Sequence, residues 1–298
     1  NEALTRYRKK GGKVILVTNS PKPRAGVEKQ LASFGVSPDA WDSIASSGDS
    51  ARAAMFQGMV GSKVYFIGEP RDLSFFEPLK LLNDPEPIQK VPLEDAEGIV
   101  CTGPFESKTN PEDMRSTFLL AKKKGLKLLC ANPDIVVDRG DVREWCAGAI
   151  AQLYSEMGGE SLYFGKPHSP IYDLARRRLA ALGGNISSDR ILAIGDGIQT
   201  DINGAFSEGI DSLFISGGLA KEETKTNSIR GVGEALSRNP SPLPHNAGMP
   251  RDPDLLDRLK RMHEAKMKEK EENTVDFDPE TAKYGINNLD DSQPESER

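Results

Sequence analysis

The sequence predicts an α/β protein built on parallel sheet, and three observations carry that prediction. Short apolar runs recur along the 298 residues, each ending in a polar or glycine-containing tip, as buried parallel strands do at their C-terminal edge. Stretches with apolar residues at helical spacing lie between them. One segment then breaks the alternation and divides the chain into a core and an insertion.

The chain opens with Leu4 and Tyr7 ahead of Lys9-Lys10-Gly11-Gly12, which reads as the last turns of a helix that starts upstream, so no targeting signal is legible. Val14 to Val17 leads into Thr18-Asn19-Ser20, Val64 to Ile67 into Gly68-Glu69, and Ile99 to Cys101 into Thr102-Gly103. Leu128 to Cys130 leads into Asn132-Pro133-Asp134, and Leu162 to Phe164 into Gly165-Lys166-Pro167. Ile191 to Ile194 leads into Gly195-Asp196, and Ser212 to Ile215 into Gly217-Gly218. Helices are expected after Pro111 (Met114, Phe118, Leu119, Ala121) and after Pro170 (Ile171, Leu174, Ala175, Leu179, Leu182). The pattern is βαβ throughout, which predicts right-handed crossovers and a ligand site where the strand tips converge.

Lys80 to Glu97 is rich in Pro, Asp and Glu, and the residues with distinctive chemistry lie before position 21 or after 164. That layout predicts a core of residues 1–62 and 161–245 and an inserted cap at 63–160. After the turn-rich Ser241-Pro242-Leu243-Pro244-His245, residues 246–298 form a charged extension. Within it Leu255, Leu256, Leu259 and Met262 mark an amphipathic helix over Pro253 to Glu272, and Asp276 to Arg298 has the composition of a disordered tail.

Composition excludes several classes of function. A net charge of −6 and a pI near 5.4, with no basic cluster interleaved with aromatics, argue against nucleic acid as a partner. No apolar run reaches membrane-spanning length. Cys101, Cys130 and Cys146 sit in or near apolar stretches without metal-ligand spacing, which reads as buried free thiols in a reducing, cytoplasmic compartment.

The densest chemistry lies in Ile191 to Asp201. Glycines flanking Asp196 let the backbone turn sharply, and Asp196 with Asp201 offers oxygen ligands to a hard cation such as Mg²⁺, although Gly-Asp-Gly after a strand is as often a turn. Thr18-Asn19-Ser20 presents a hydroxyl and N–H groups to a phosphate or carboxylate, and also suits a plain strand-to-helix turn. Lys166 is held between Gly165 and Pro167, with a surface lysine as the bland alternative; His168 reads as structural or solvent-exposed. Two carboxylates, a lysine and a hydroxyl on strand tips are the equipment of phosphoryl transfer, which rests on positioning and neutralisation of phosphate charge.

This order, strand-Thr-Asn-Ser, a long insertion, strand-Gly-Lys-Pro, then strand-Gly-Asp-Gly-x-x-Thr-Asp, resembles the haloacid dehalogenase superfamily of phosphatases. The insertion point resembles subclass IIA, which includes nucleotide, sugar phosphate, p-nitrophenyl phosphate and pyridoxal phosphate phosphatases. Ala131-Asn132-Pro133-Asp134 adds a further match, and the resemblance runs from about residue 1 to 235. It implies a Rossmann-like core with an inserted α/β C2-type cap. It also implies that Thr18, helped by Asn19, binds the transferring phosphoryl group and that Lys166 holds its charge and that of the attacking carboxylate. Asp196 would ligate Mg²⁺, with Asp201 acting behind it or orienting Lys166. Asn132 and Asp134 would face the substrate, a small phosphorylated metabolite, from a cap that excludes water and chooses the leaving group.

The resemblance fails at one place. The superfamily attacks phosphorus with an aspartate on a strand reading apolar-Asp-x-Asp-Gly ahead of the threonine, and these residues contain neither carboxylate of that strand. Asp276-Phe277-Asp278-Pro279 has the spacing, but follows charged sequence and has proline where glycine belongs. The expectation is therefore a Mg²⁺-dependent phosphatase in full-length form, with this chain inactive as such. The alternatives are a catalytically degenerate member serving as a binding or assembly subunit, through the C-terminal extension or as a homo-oligomer, and a first strand supplied by a separate polypeptide. Loss of that strand is expected to leave apolar flanks exposed on its neighbours.

Overall fold

Runs rich in Val, Ile, Leu and Cys become strands, and the amphipathic stretches between them become helices, in a computed structural model that describes residues 1–77, 87–106, 109–139 and 142–218. The first part of the chain contains α1 (Glu2–Lys9), β1 (Ile15–Thr18), α2 (Arg24–Ser33), β2 (Ser43–Ser46) and α3 (Ser47–Phe56). The middle contains β3 (Lys63–Ile67), β4 (Gln89–Lys90), β5 (Gly98–Cys101), α4 (Arg115–Lys123), β6 (Lys127–Cys130), β7 (Val136–Arg139), β8 (Val142–Trp145), α5 (Ala147–Glu156) and β9 (Glu160–Tyr163). The last described part contains α6 (Ser169–Ala180), β10 (Leu192–Gly195), α7 (Asn203–Ser207) and β11 (Asp211–Phe214). The expected extension at 246–298, its connector and most of the first half of the 80–97 break lie outside the described residues.

Five strands form one all-parallel sheet in the order β4-β3-β5-β6-β9. Alternation along β5 and β6 sends Ile99, Cys101, Leu128 and Cys130 to one face, against Phe118 and Ala121 of α4 and Ile150 and Tyr154 of α5. Val100 and Leu129 point the other way, onto Ala51, Ala54 and Met55 of α3. Both faces are thus covered, as a parallel sheet requires. The sheet continues through β9, which pairs parallel with β6.

Two strand features depart from the sequence reading. β7 and β8 pair antiparallel, so the chain is not βαβ throughout. Val142-Arg143-Glu144-Trp145 places two charged residues between two apolar ones, which a search for solid apolar runs passes over. β2 was also unforeseen, because Ser43-Ile44-Ala45-Ser46 holds two apolar residues between serines, yet all four are buried.

The remaining strands form two separate parallel pairs, β1 with β2 and β10 with β11. Helix α6 supplies Ile171 and Tyr172 to a small core with Ala45, against which Ile15, Val17, Leu174 and Ile210 pack. Among the described residues, β1 has no strand neighbour other than β2, and β10 none other than β11. A cavity of about 1950 Å³ is lined by Ile15 to Thr18 and also by Ile191 to Ile194. Leu192 and Ile194 are 55% and 56% exposed. Apolar side chains of β10 are therefore exposed, while those of β1 are half-buried.

A buried ionic cluster ties these parts together. Asp49, in the first turn of α3, accepts from the Arg24 N–H (3.2 Å) at the start of α2 and from Arg178 Nη2 (2.6 Å) on α6. Arg52 lies 3.6 Å from the same carboxylate, and its Nε donates to the Phe75 carbonyl (2.9 Å) beyond β3. Three helices meet at one carboxylate, and Arg52 extends the cluster to the Phe75 carbonyl.

Candidate active site

Each candidate side chain sits where a strand stops. β1 ends at Thr18, whose Oγ1 accepts the Ser20 N–H at 3.2 Å and so closes the turn into α2. β9 ends two residues before Gly165-Lys166-Pro167, where the Lys166–Pro167 peptide is cis. β10 ends at Gly195, Asp196 follows, and the chain winds through a wide helical turn over Ile198–Ile202 that carries Asp201.

Lys166 and Asp201 form the charged centre. Lys166 Nζ lies 2.5 Å from Asp201 Oδ1, and the two side chains are 17% and 15% exposed. Each charge compensates the other's loss of water, which neither could tolerate alone. The second Asp201 oxygen accepts the Gly197 N–H at 3.0 Å. A Cβ at Gly195 would lie 2.3 Å from Asp201 Cγ, so glycine is what lets the strand end come this close. Asp201 is therefore committed on both oxygens, which suits the role of orienting Lys166.

Asn19 is engaged at both ends of its amide. Its Oδ1 accepts the Lys166 N–H at 2.6 Å, and its Nδ2 donates to Asp134 Oδ1 at 2.8 Å and to the Lys166 carbonyl at 3.2 Å. Asp134 in turn donates its N–H to Asn132 Oδ1 at 3.0 Å. Burial raises the Asp134 pKa, with the Asn19 hydrogen bond and the Lys166 charge pulling the other way. His168 stacks on Tyr163 with ring centroids 4.9 Å apart, and burial pushes its pKa down to about 4. It is a neutral packing residue.

Thr18, Asn132, Asp134, Lys166 and Asp201 all line the cavity. Asn19 lies buried behind that wall, and Asp196 is not part of it. Asp72, Thr102 and Trp145 line the same cavity and were not singled out by sequence. Thr102 Oγ1 donates to Asp72 Oδ2 at 2.9 Å. The signal for Thr102 was available, since Thr102-Gly103 is a strand tip like the others. The three cysteines are buried and in no disulfide, and burial raises the pKa of Cys101 and Cys130.

Mg²⁺ characteristically takes one or two carboxylates and completes its octahedron with waters and substrate phosphate oxygens. Asp196, at the end of β10, fits such a share, and a Cβ at Gly218 would fall 2.1 Å from its Oδ2. Among the described residues no three His, Cys, Asp or Glu side chains are grouped to hold a metal, so these residues do not enclose an ion by themselves. No helix among them is long and apolar enough to cross a membrane.

The similarities to known proteins fall on the same segments. A model of haloacid dehalogenase-like hydrolases matches residues 1–81, and a second, HAD-hydrolase-like model matches residues 163–234. A crystal structure of a haloacid dehalogenase-like family hydrolase from Brucella suis is 41% identical, with 73% of this chain and 78% of that chain covered and a TM-score of 0.67. The p-nitrophenyl phosphatase from Archaeoglobus fulgidus shares the fold at 22% identity, with 79% and 90% covered and a TM-score of 0.54. Among curated proteins, ribonucleotide monophosphatase NagD of Escherichia coli is 24% identical over 71% of this chain and 77% of its own length. The 5'-nucleotidase YutF of Bacillus subtilis is 29% identical over 119 residues, and the match spans 44% of its length. Strand-tip chemistry, α/β architecture and these matches agree that the chain belongs to the haloacid dehalogenase-like hydrolase family, with relatives in its subclass IIA.

Proposed function

We propose that this chain carries the phosphate-binding part of a Mg²⁺-dependent phosphatase that hydrolyses a small phosphomonoester through an aspartyl-phosphate. The observation that carries the reading is the Lys166 ammonium held 2.5 Å from Asp201 in the cavity that Thr18 also lines. The names of the Escherichia coli and Archaeoglobus fulgidus relatives support the same reaction class. Thr18 donates its hydroxyl to a phosphoryl oxygen. Lys166 offsets the repulsion between an anionic phosphate and an anionic nucleophile, and Asp201 fixes the lysine head so that no reorganisation is needed as charge builds. Asp196 would hold Mg²⁺, which supplies further neutralisation of phosphate charge when bound.

The attacking carboxylate would be delivered by an apolar Asp-x-Asp strand set between β1 and β10, each of which has a single strand neighbour among the described residues. Such a strand would cover Ile194 and Leu192 and deliver its tip beside Lys166. Without it the chain hydrolyses substrate negligibly, since removing a hydrolase nucleophile costs roughly 10⁶ in rate. A degenerate member kept as a binding or assembly subunit is the competing reading, and the intact Lys166–Asp201 pair weighs against it. Buried cysteines in no disulfide support a reducing compartment, and we place the protein in the cytoplasm.

The test is hydrolysis of p-nitrophenyl phosphate with Mg²⁺, by the chain alone and by the chain extended with an apolar Asp-x-Asp strand. The expected result is background for the chain and metal-dependent turnover for the extended form, lost in its Lys166→Ala variant. An extended, folded protein without turnover would overturn the phosphatase reading. Turnover by the chain alone would overturn its inactivity.

A further inference from the structure

We infer that Asn19 and Asp134 are positioning residues that set the Lys166 loop from two sides, so that the insertion shares in placing the lysine of the core. This rests on the reading of Lys166 as the phosphate-binding cation and adds to it, because the strut acts on the lysine's backbone and not on the substrate. Asn19 grips Lys166 at both its N–H (2.6 Å) and its carbonyl (3.2 Å), which fixes that residue's peptide planes as one unit. The remaining amide hydrogen goes to Asp134 at 2.8 Å, a residue 115 positions away in the segment after β6. Asp134 fixes which way the Asn19 amide faces, since a carboxylate there accepts only from the NH₂ end.

Two further observations point the same way. The Asp134 N–H is held by Asn132 Oδ1 at 3.0 Å, so the carboxylate is itself preset. Gly165, adjoining the lysine, leaves the space the strut occupies: a Cβ there would meet Asn19 Oδ1 at 2.6 Å and Pro133 Cδ at 2.5 Å. The line therefore runs from Asn132 through Asp134 and Asn19 to the Lys166 backbone, and from the Lys166 side chain to Asp201. Tilting the insertion moves the lysine, and mispositioning of even 1 Å is costly in phosphoryl transfer.

The strut can be read in this chain without turnover. Amide hydrogen exchange of Lys166, followed by NMR, reports the Asn19 bond directly, and the rate of Lys166 modification by an amine-reactive reagent, followed by mass spectrometry, reports the loop. Asn19→Ala is expected to speed both by about 10-fold or more, while the His168 N–H, which donates to the Gly165 carbonyl, serves as a nearby reference. Asp134→Leu removes the outer link alone and is expected to speed both about threefold. Asp134→Asn keeps an oxygen acceptor and is expected to restore rates to within twofold of the parent, which a merely space-filling role would not distinguish from leucine.

Unchanged rates in Asn19→Ala overturn the proposal, as do equal rates in Asp134→Leu and Asp134→Asn. Should Asn19→Ala fail to fold, the Asp134 pair decides alone. Titration with inorganic phosphate separates the two readings: absence of binding in the parent counts against the phosphatase while leaving the exchange result standing.

Discussion

The five-stranded sheet and the two strand pairs are written in the same apolar vocabulary and reach different ends. Ile99, Leu128 and Leu129 are wholly buried, whereas Ile194 is 56% exposed. Ile-Val-Cys in β5 and Leu-Ala-Ile in β10 both read as interior strands. The difference lies in their neighbours. β5 is paired on both edges and covered on both faces; β10 is paired with β11 alone among the described residues. An apolar run states the environment a strand needs and not whether that environment is present.

The comparison breaks most readily at the well-packed end. Phe118 is fully buried and packs against Tyr154 at 4.9 Å between ring centroids. Phe118→Ala is expected to cost about 3–5 kcal/mol, from lost transfer energy plus the cavity left behind. Ile194→Ala is expected to cost about 1 kcal/mol or less in this chain, because half its side chain already meets water. Urea denaturation gives both numbers. Equal costs would mean that β10 is as covered as β5, and the open slot would be gone. In the form extended with an Asp-x-Asp strand, as proposed above, Ile194→Ala should rise toward the core range of about 2–5 kcal/mol.

The next effect lies at the junction of the two regions. Asp49 joins α2, α3 and α6, and faces Arg178 at 2.6 Å and Arg52 at 3.6 Å. Asp49→Ala leaves buried guanidinium groups without their carboxylate, and breaking such a pair from one side costs about 3 kcal/mol. Losses in both regions are expected together, as faster amide exchange in β2 and in β6. Faster exchange in β2 alone would show that the two regions are held together by apolar contact and not by this cluster.

Sequence was informative where structure is local. Strand tips drew attention to Thr18, Lys166 and Asp196, because a run of apolar residues ending in a polar one is a local signal, with Asp201 on the helical turn that follows β10, and α6 followed from spacing after Pro170. Leu119 fell at helical spacing with Met114, Phe118 and Ala121 yet is 63% exposed, since periodicity marks a face and not its width. β2 escaped because two apolar residues make too short a run to notice. The Asn19–Asp134 hydrogen bond was illegible for a different reason: it joins segments that only tertiary folding brings together. Both residues had been assigned to the substrate, and sequence offered no way to see that Asn19 is spent on the lysine backbone.

The smallest effect tests whether the loop after β9 is packed as tightly as the five-stranded sheet. His168 follows the Lys166 loop, and burial pushes its pKa down to about 4 from an ordinary 6.5. Between those values the unfolded chain binds a proton that the folded chain does not, so unfolding is favoured as pH falls. The His168 contribution is therefore fully present above about pH 6.5 and is lost progressively as pH drops toward 4. By pH 5 the loss is roughly 1–2 kcal/mol. His168→Phe keeps a ring against Tyr163 and removes the titration, so its urea midpoint should fall less between pH 7 and pH 5 than the parent's. Equal falls in the two proteins would show that His168 meets water in the folded state, and that the loop bearing Lys166 is looser than the sheet it leaves.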